Sequence, residues 1–133
     1  LLEAYNNTGW ILNITVTGYG NHDNNRILNY LTAPNVLIWS ACLASCSIPY
    51  IYAPAHLYCK NEEGKITQYI EGGTIHHCDI YTQSCNSFSG RKFVDGSISA
   101  DLPIQKLSEL FNVNYCIVSQ VNPWYAGCFG QSF

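Results

Sequence analysis

Residues 91–103 read Arg-Lys-Phe-Val-Asp-Gly-Ser-Ile-Ser-Ala-Asp-Leu-Pro (RKFVDGSISADLP). The β-formers Phe93 and Val94 run straight into Asp95 and Gly96, so a strand from Lys92 to Val94 is expected to stop at a tight turn. Past the turn, Asp101 followed by Pro103 has the composition of a helix start. Aspartate caps free backbone N–H groups, and proline in a first turn has no N–H to leave unsatisfied. Ile104, Leu107, Leu110 and Phe111 then recur at helical spacing, with Lys106, Ser108 and Glu109 on the other side. Asn112 to Asn114 is expected to end that helix. Tyr115 to Val121 (YCIVSQV) is a nearly continuous apolar run of strand length, which suits a strand covered on both faces in a parallel sheet. Strand, turn, helix and strand make a βαβ unit and set the expected class as α/β. Such sheets collect functional groups beyond the carboxyl ends of their strands, and Asp95 stands there.

Upstream, Ile11 to Thr17 alternates Leu12, Ile14 and Val16 with Asn13, Thr15 and Thr17, the period of a half-buried strand. Gly18 to Asn25 has loop composition, and Arg26 to Leu31 reads as a short helical turn. Pro34 suits the first turn of a helix over Asn35 to Ser47. That helix would carry Val36, Trp39, Leu43 and Cys46 on one face. Ala41, Ala44 and Ser45 keep another face thin enough for a close neighbour. It is expected to stop before Pro49. Lys65 to Glu71 reads as a strand between Gly64 and Gly72-Gly73, and His76 to Gly90 as surface loop. The stretch 60–90 as a whole has the character of a loop or insertion.

A chain of 133 residues fits one domain. Its charged fraction of 11% is well below the usual ~25%, while 47% is hydrophobic, so a packed body is expected rather than a disordered tail. The net charge of −3, with no basic run longer than Arg91-Lys92, excludes a nucleic-acid footprint. The chain begins at Leu1 and contains no methionine, so it is expected to be part of a longer translated product. Seven cysteines are an odd number for a disulfide framework. Cys42, Cys46 and Cys116 lie in apolar runs and read as small buried hydrophobes, so a reducing intracellular compartment is expected. Two glycosylation sequons, Asn6-Asn7-Thr8 and Asn13-Ile14-Thr15, lie in or beside a strand and recur by chance at this length. No Asp, Glu, Lys or Arg occurs between Arg26 and Lys60. A membrane span needs ~20 largely apolar residues. Ser40, Ser45, Ser47, Pro49 and Pro54 interrupt this segment, which favours a buried core helix.

Several polar groups invite a chemical reading. His76, His77, Cys78 and Asp79, with Cys59 and Cys85, lack the close cysteine pairs of structural zinc sites and read as surface loop. Cys128 carries no signature of a thiol hydrolase. Ser45 and Ser47 read as packing and hydrogen-bonding residues. Asp95-Gly96 alone reads as a plain turn sooner than as a catalytic carboxylate, since many such pairs are merely turns.

Company changes that balance. Asn29 to Pro49 (NYLTAPNVLIWSACLASCSIP) closely resembles the patatin-like acyl hydrolases, and within them the storage triacylglycerol lipases of fungi and plants. Three further blocks are similar in the same order: Thr8-Gly9 with Ile11 to Val16, Asp95-Gly96-Ser97 with Asp101-Leu102-Pro103, and Leu107 to Asn114 running into Ile117 to Pro123. Residues 55–90 add little to the resemblance. It implies a three-layer α/β sheet flanked by helices, of which residues 1–133 form the C-terminal portion. It also implies a serine–aspartate dyad without histidine. Asp95 corresponds to the dyad aspartate, with Gly96 and Ser97 completing the active-site turn. The family's third residue is Gly or Ala, so Ser97 is a small departure. By resemblance, Asp95 takes the serine proton and returns it to the leaving alcohol.

The nucleophile is another matter. A Gly-x-Ser-x-Gly elbow needs glycines four positions apart, and none of the ten glycines of this chain form such a pair. The glycine-rich oxyanion loop of the family is likewise absent from the sequence. The resemblance therefore implies a parent ester hydrolase acting on triacylglycerol or phospholipid, with this chain inactive alone. It implies no metal or organic cofactor, a lipid substrate, no nucleic acid, and an intracellular place at lipid droplets or membranes. A catalytically inactive lipid-binding or scaffolding module is the alternative. Tyr50, Tyr52 and Trp124 flank an acyl-binding cleft, touch lipid, or belong to core and rim.

Overall fold

A computed structural model describes residues 1–20, 25–69, 91–98 and 102–119. It divides the chain into two compact units, Leu1–Pro103 and Ile104–Phe133.

The first unit is built on a four-stranded sheet in the order β2–β1–β6–β3. Strand β1 (Ile14–Gly18) takes a central place, antiparallel to β2 (Asn25–Leu28) on one side and β6 (Lys92–Asp95) on the other. The two-residue strand β3 (Ala55–His56) closes the far edge of β6. The alternation holds over Ile14, Thr15 and Val16 but not at Thr17, which is buried, and the strand begins at Ile14, leaving Ile11 and Leu12 exposed. Val16 and Phe93 are completely buried and form the core with Ile14, Leu28, Val36 and Leu57.

Arg26 to Leu31 is not helical. Asn25–Leu28 pairs residue by residue with β1, Ile14 opposite Leu28 and Val16 opposite Arg26. Two adjacent buried residues, Ile27 and Leu28, carry no period that separates helix from strand, and the ladder offered by β1 decides. The turn that follows is organised by Asn29, whose side chain is fully buried. Its Oδ1 accepts from the backbone N–H groups of Leu31 and Thr32, both at 2.9 Å, and its Nδ2 donates to Asn13 Oδ1 at 3.0 Å.

Helix α2 (Ile38–Ser45) starts three residues later than the sequence suggests. Val36 forms a β-bridge with Cys59, Leu37 N–H donates to Tyr58 O at 2.8 Å and Lys60 N–H to Asn35 O at 2.9 Å. Residues 35–37 are thus held by β4 (Tyr58–Lys60) rather than by helical bonds. That strand pairs with β5 (Ile66–Gln68), which lies within the strand read over Lys65 to Glu71, and the hairpin between them is closed by Asn61. Residues 70–90 lie outside the described residues.

The face of α2 that packs is the thin one. Ser40, Ala41 and Ala44 are buried against β1, β6 and β3, while Trp39, Leu43 and Cys46 point away from the sheet. Small side chains let helix and sheet backbones approach closely, and that gain outweighs burying the large ones here. The expectation that Cys42 and Cys46 are buried fails for the same reason: both are exposed on the outer side of α2. A short helix α1 (Leu2–Thr8) precedes the sheet and ends at Gly9, whose φ of 72° supplies the left-handed cap.

The second unit contributes α3 (Ile104–Phe111), which begins directly after Pro103. It ends at Asn112, in the left-handed region with φ 53°, as the sequence indicates. Residues 113–119 form neither strand nor helix, and Tyr115, Cys116 and Ile117 are exposed. The expected buried parallel strand is absent here, and with it the βαβ unit. An apolar run becomes a strand only when another strand offers a ladder, and every pairing among the described residues is antiparallel and made elsewhere. What stands of the expected class is α/β content on an antiparallel sheet.

The Asn29 turn yields a stability test. Asn29→Ala removes the buried side chain that accepts from the Leu31 and Thr32 N–H groups and donates to Asn13, at about 0.5–1.5 kcal/mol per hydrogen bond lost. Urea denaturation is expected to show a loss of at least the lower figure.

Candidate active site

Asp95 is the last residue of β6 and lies opposite Val16 of β1. Its backbone N–H donates to the carbonyl of Ser47, just past the end of α2, at 3.1 Å. One carboxylate oxygen, Oδ1, accepts from the backbone N–H of Ser97 at 2.9 Å. The local loop formed this way is the usual manner in which aspartate stabilises a turn. The second oxygen, Oδ2, has no hydrogen-bond partner among the described residues, and the side chain is half-buried. A carboxylate held through one oxygen, with the other unpaired among the described residues, is oriented without being used up.

The turn itself is a 3₁₀ segment, Gly96–Ile98. Gly96 passes directly over Thr15. A Cβ at this position would lie 2.6 Å from both the carbonyl carbon and the Cβ of Thr15, and 2.8 Å from its carbonyl oxygen. No side chain fits there, so glycine is required by close approach rather than by a left-handed backbone. Asn25 Nδ2 donates to the Gly96 carbonyl at 3.1 Å and ties β2 to the same point. Ser97 is exposed and contributes its backbone N–H.

Beside Ser47 opens an apolar cavity of about 490 Å³, lined by Leu43, Cys46, Ser47, Tyr52 and residues 53–55. Asp95 is not among its lining residues. The two are joined through Ser47, which contributes a wall to the cavity and a carbonyl to the Asp95 N–H. The Ser47 hydroxyl donates to Leu43 O at 2.7 Å, the packing role its sequence context indicates. Ser40 is similarly occupied: its hydroxyl lies 2.9 Å from Leu37 O and accepts from Tyr58 N–H at 3.1 Å.

Sequence reasoning singled out Asp95, Gly96 and Ser97, and all three meet at this turn. It missed Thr15, Asn25 and the Ser47 carbonyl, which seat the turn from three directions. Thr15 had a signal, an outward threonine on a strand facing an Asp-Gly pair, but only pairing reveals the contact. Asp101, His76 to Asp79, Cys78, Cys85, Trp124 and Cys128 lie outside the described residues. Among the described residues no group of three or more His, Cys, Asp or Glu is placed to hold a metal ion. No helix there is long and apolar enough to cross a membrane.

Comparison with known proteins places this chain in a family. The patatin-like phospholipase profile matches residues 4–107, and the chain belongs to that family. Triacylglycerol lipase 5 of Saccharomyces cerevisiae is 47% identical over 121 residues, which is 90% of this chain and 15% of that protein. Triacylglycerol lipase SDP1L of Arabidopsis thaliana is 45% identical over 124 residues, 93% of this chain and 15% of the relative. Triacylglycerol lipase ptl3 of Schizosaccharomyces pombe is 39% identical over 120 residues, 90% of this chain and 22% of the relative. The chain thus spans under a quarter of the length of these relatives. No solved structure matches.

The Gly96 contact makes a direct prediction. Gly96→Ala forces the turn off Thr15, and overpacking of this kind costs about 1–3 kcal/mol. Thermal denaturation is expected to show a clearly lowered melting temperature. Ser97→Ala, which keeps the backbone N–H, is expected to melt within a degree or two of the parent.

Proposed function

We propose that this chain carries the base of a lipid acyl ester hydrolase, with Asp95 as one half of a serine–aspartate dyad. The observation that supports it best is the Asp95 carboxylate at the end of β6, pinned through Oδ1 by Ser97 N–H, with Oδ2 unpaired among the described residues. The nucleophilic serine, on a Gly-x-Ser-x-Gly elbow, and the oxyanion donors come from residues outside 1–133.

In this reading Oδ2 accepts the proton of the serine hydroxyl as its oxygen attacks the ester carbonyl carbon. The C–O bond to the alcohol then breaks, and the Asp95 proton passes to the departing alkoxide. A water molecule repeats the sequence on the acyl-serine, giving up its proton to Asp95 and releasing the fatty acid. The hydrogen bond from Ser97 keeps the carboxylate from rotating away between steps. Alone, the chain has a base and no nucleophile, and no turnover is expected of it. The relatives' names favour triacylglycerol among possible lipid esters, with phospholipid as the other member of the class. No cofactor enters the scheme.

The test joins this chain to the elbow-bearing segment, in one polypeptide, and assays a soluble short-chain ester. Asp95→Asn keeps the shape and the contact with Ser97 N–H but removes the basicity. It is expected to lower kcat by about 10²–10⁴-fold with little change in KM. Retention of kcat in the Asp95→Asn protein would overturn the assignment.

A further inference from the structure

The loop after α2 is built in a way that folding alone does not favour. Ile51 and Tyr52 N–H both donate to Ile48 O, at 3.2 and 2.9 Å, closing a tight turn with Pro49 second and Tyr50 third. Tyr50 has a φ of 71°, the left-handed region in which a Cβ is penalised. After proline in such a turn the backbone favours glycine at the third position. Tyrosine there gains nothing from burial, because Tyr50 is wholly exposed, and Ile48, Ile51 and Tyr52 beside it are exposed as well. A strained residue that holds a large ring in the open implies a partner for that ring.

The surroundings say what chemistry the partner has. No charged residue occurs between Arg26 and Lys60, so the turn, the outer face of α2 and the cavity wall are all uncharged. Anionic membranes recruit proteins through clustered Lys and Arg, and this segment has none to offer. Isoleucines and tyrosines at a tip instead suit a neutral lipid interface, where the rings lie among acyl groups with their hydroxyls toward water. The apolar cavity opens alongside, with Tyr52 shared between turn and cavity wall, and its volume of about 490 Å³ is within the range of small-ligand sites.

We propose that residues 48–52 insert into the surface of a neutral lipid phase and that the adjoining cavity receives an acyl chain from it. The ester-hydrolase reading gives this insertion its purpose, while its measurement is independent of catalysis. The protein is floated with triolein emulsions coated with phosphatidylcholine, and separately with vesicles of phosphatidylcholine and phosphatidylserine. It is expected to float with the emulsion. Tyr50→Asp and Ile51→Asp are each expected to weaken that partition about tenfold, and Trp10→Asp, at an exposed aromatic outside the turn, to leave it unchanged. Tyr50→Gly separates strain from function: the melting temperature is expected to rise while emulsion binding falls. Unchanged binding in the Tyr50→Asp/Ile51→Asp double variant would overturn the proposal. So would an equal loss in Trp10→Asp, a lowered melting temperature in Tyr50→Gly, or binding to the anionic vesicles alone. In the polypeptide that includes the elbow, lost emulsion binding with intact soluble-ester hydrolysis is the expected signature of the turn variants. Intact emulsion binding with Asp95→Asn still active would refute the hydrolase reading and leave this one standing.

Discussion

The close crossing of Gly96 over Thr15 is the contact on which the site depends. With a Cβ only 2.6 Å from two Thr15 atoms, the crossing admits hydrogen alone at this position. It brings the end of β6 down onto β1, so that Asp95 pairs opposite Val16 and its N–H meets the carbonyl of Ser47. Sheet, helix α2 and carboxylate therefore share one junction. Packing and chemistry are not separable there: a change that lifts Gly96 also moves Asp95 relative to α2.

Helix α2 serves the same junction by being thin where it touches the sheet. Ser40, Ala41 and Ala44 let its axis come close enough for Ser47 to reach β6. The large residues Trp39 and Leu43 are displaced to the outside, where Trp39 stacks on Tyr58 and Leu43 shares a cavity lining with Tyr52. A low charge content, surprising for a chain of this size, has its explanation in this arrangement. The uncharged stretch from Ile27 to Cys59 supplies both the closely packed inner face and an apolar outer one. The family to which the chain belongs acts on lipid esters in its named members, and an uncharged outer face is compatible with such substrates.

Much of this was readable from residues. The alternation around Ile14 and Val16, the stop of β6 at Asp95-Gly96 and the periodic face of α3 each follow from local pattern, and the structure has them. Failures occurred where a distant partner decides. Ile27-Leu28 became strand because β1 was available to pair, whereas no strand among the described residues pairs with residues 113–119. Hydrophobic size alone turns α2 the wrong way round, because close approach of backbones sets which face packs. At the site, Asp95, Gly96 and Ser97 announced themselves as consecutive letters. Thr15, Asn25 and Ser47 come from three other places in the chain, and nothing in one-dimensional pattern connects them.

Under the proposed function, Asp95 is seated to face a serine hydroxyl. A crystal structure of the polypeptide including the Gly-x-Ser-x-Gly elbow measures this directly. The account requires the free Asp95 oxygen to lie within about 2.6–3.2 Å of the serine Oγ, or one bridging water away, with Ser97 N–H still on Oδ1. An Asp95 carboxylate turned to solvent, with the elbow serine paired to a different base, would contradict it.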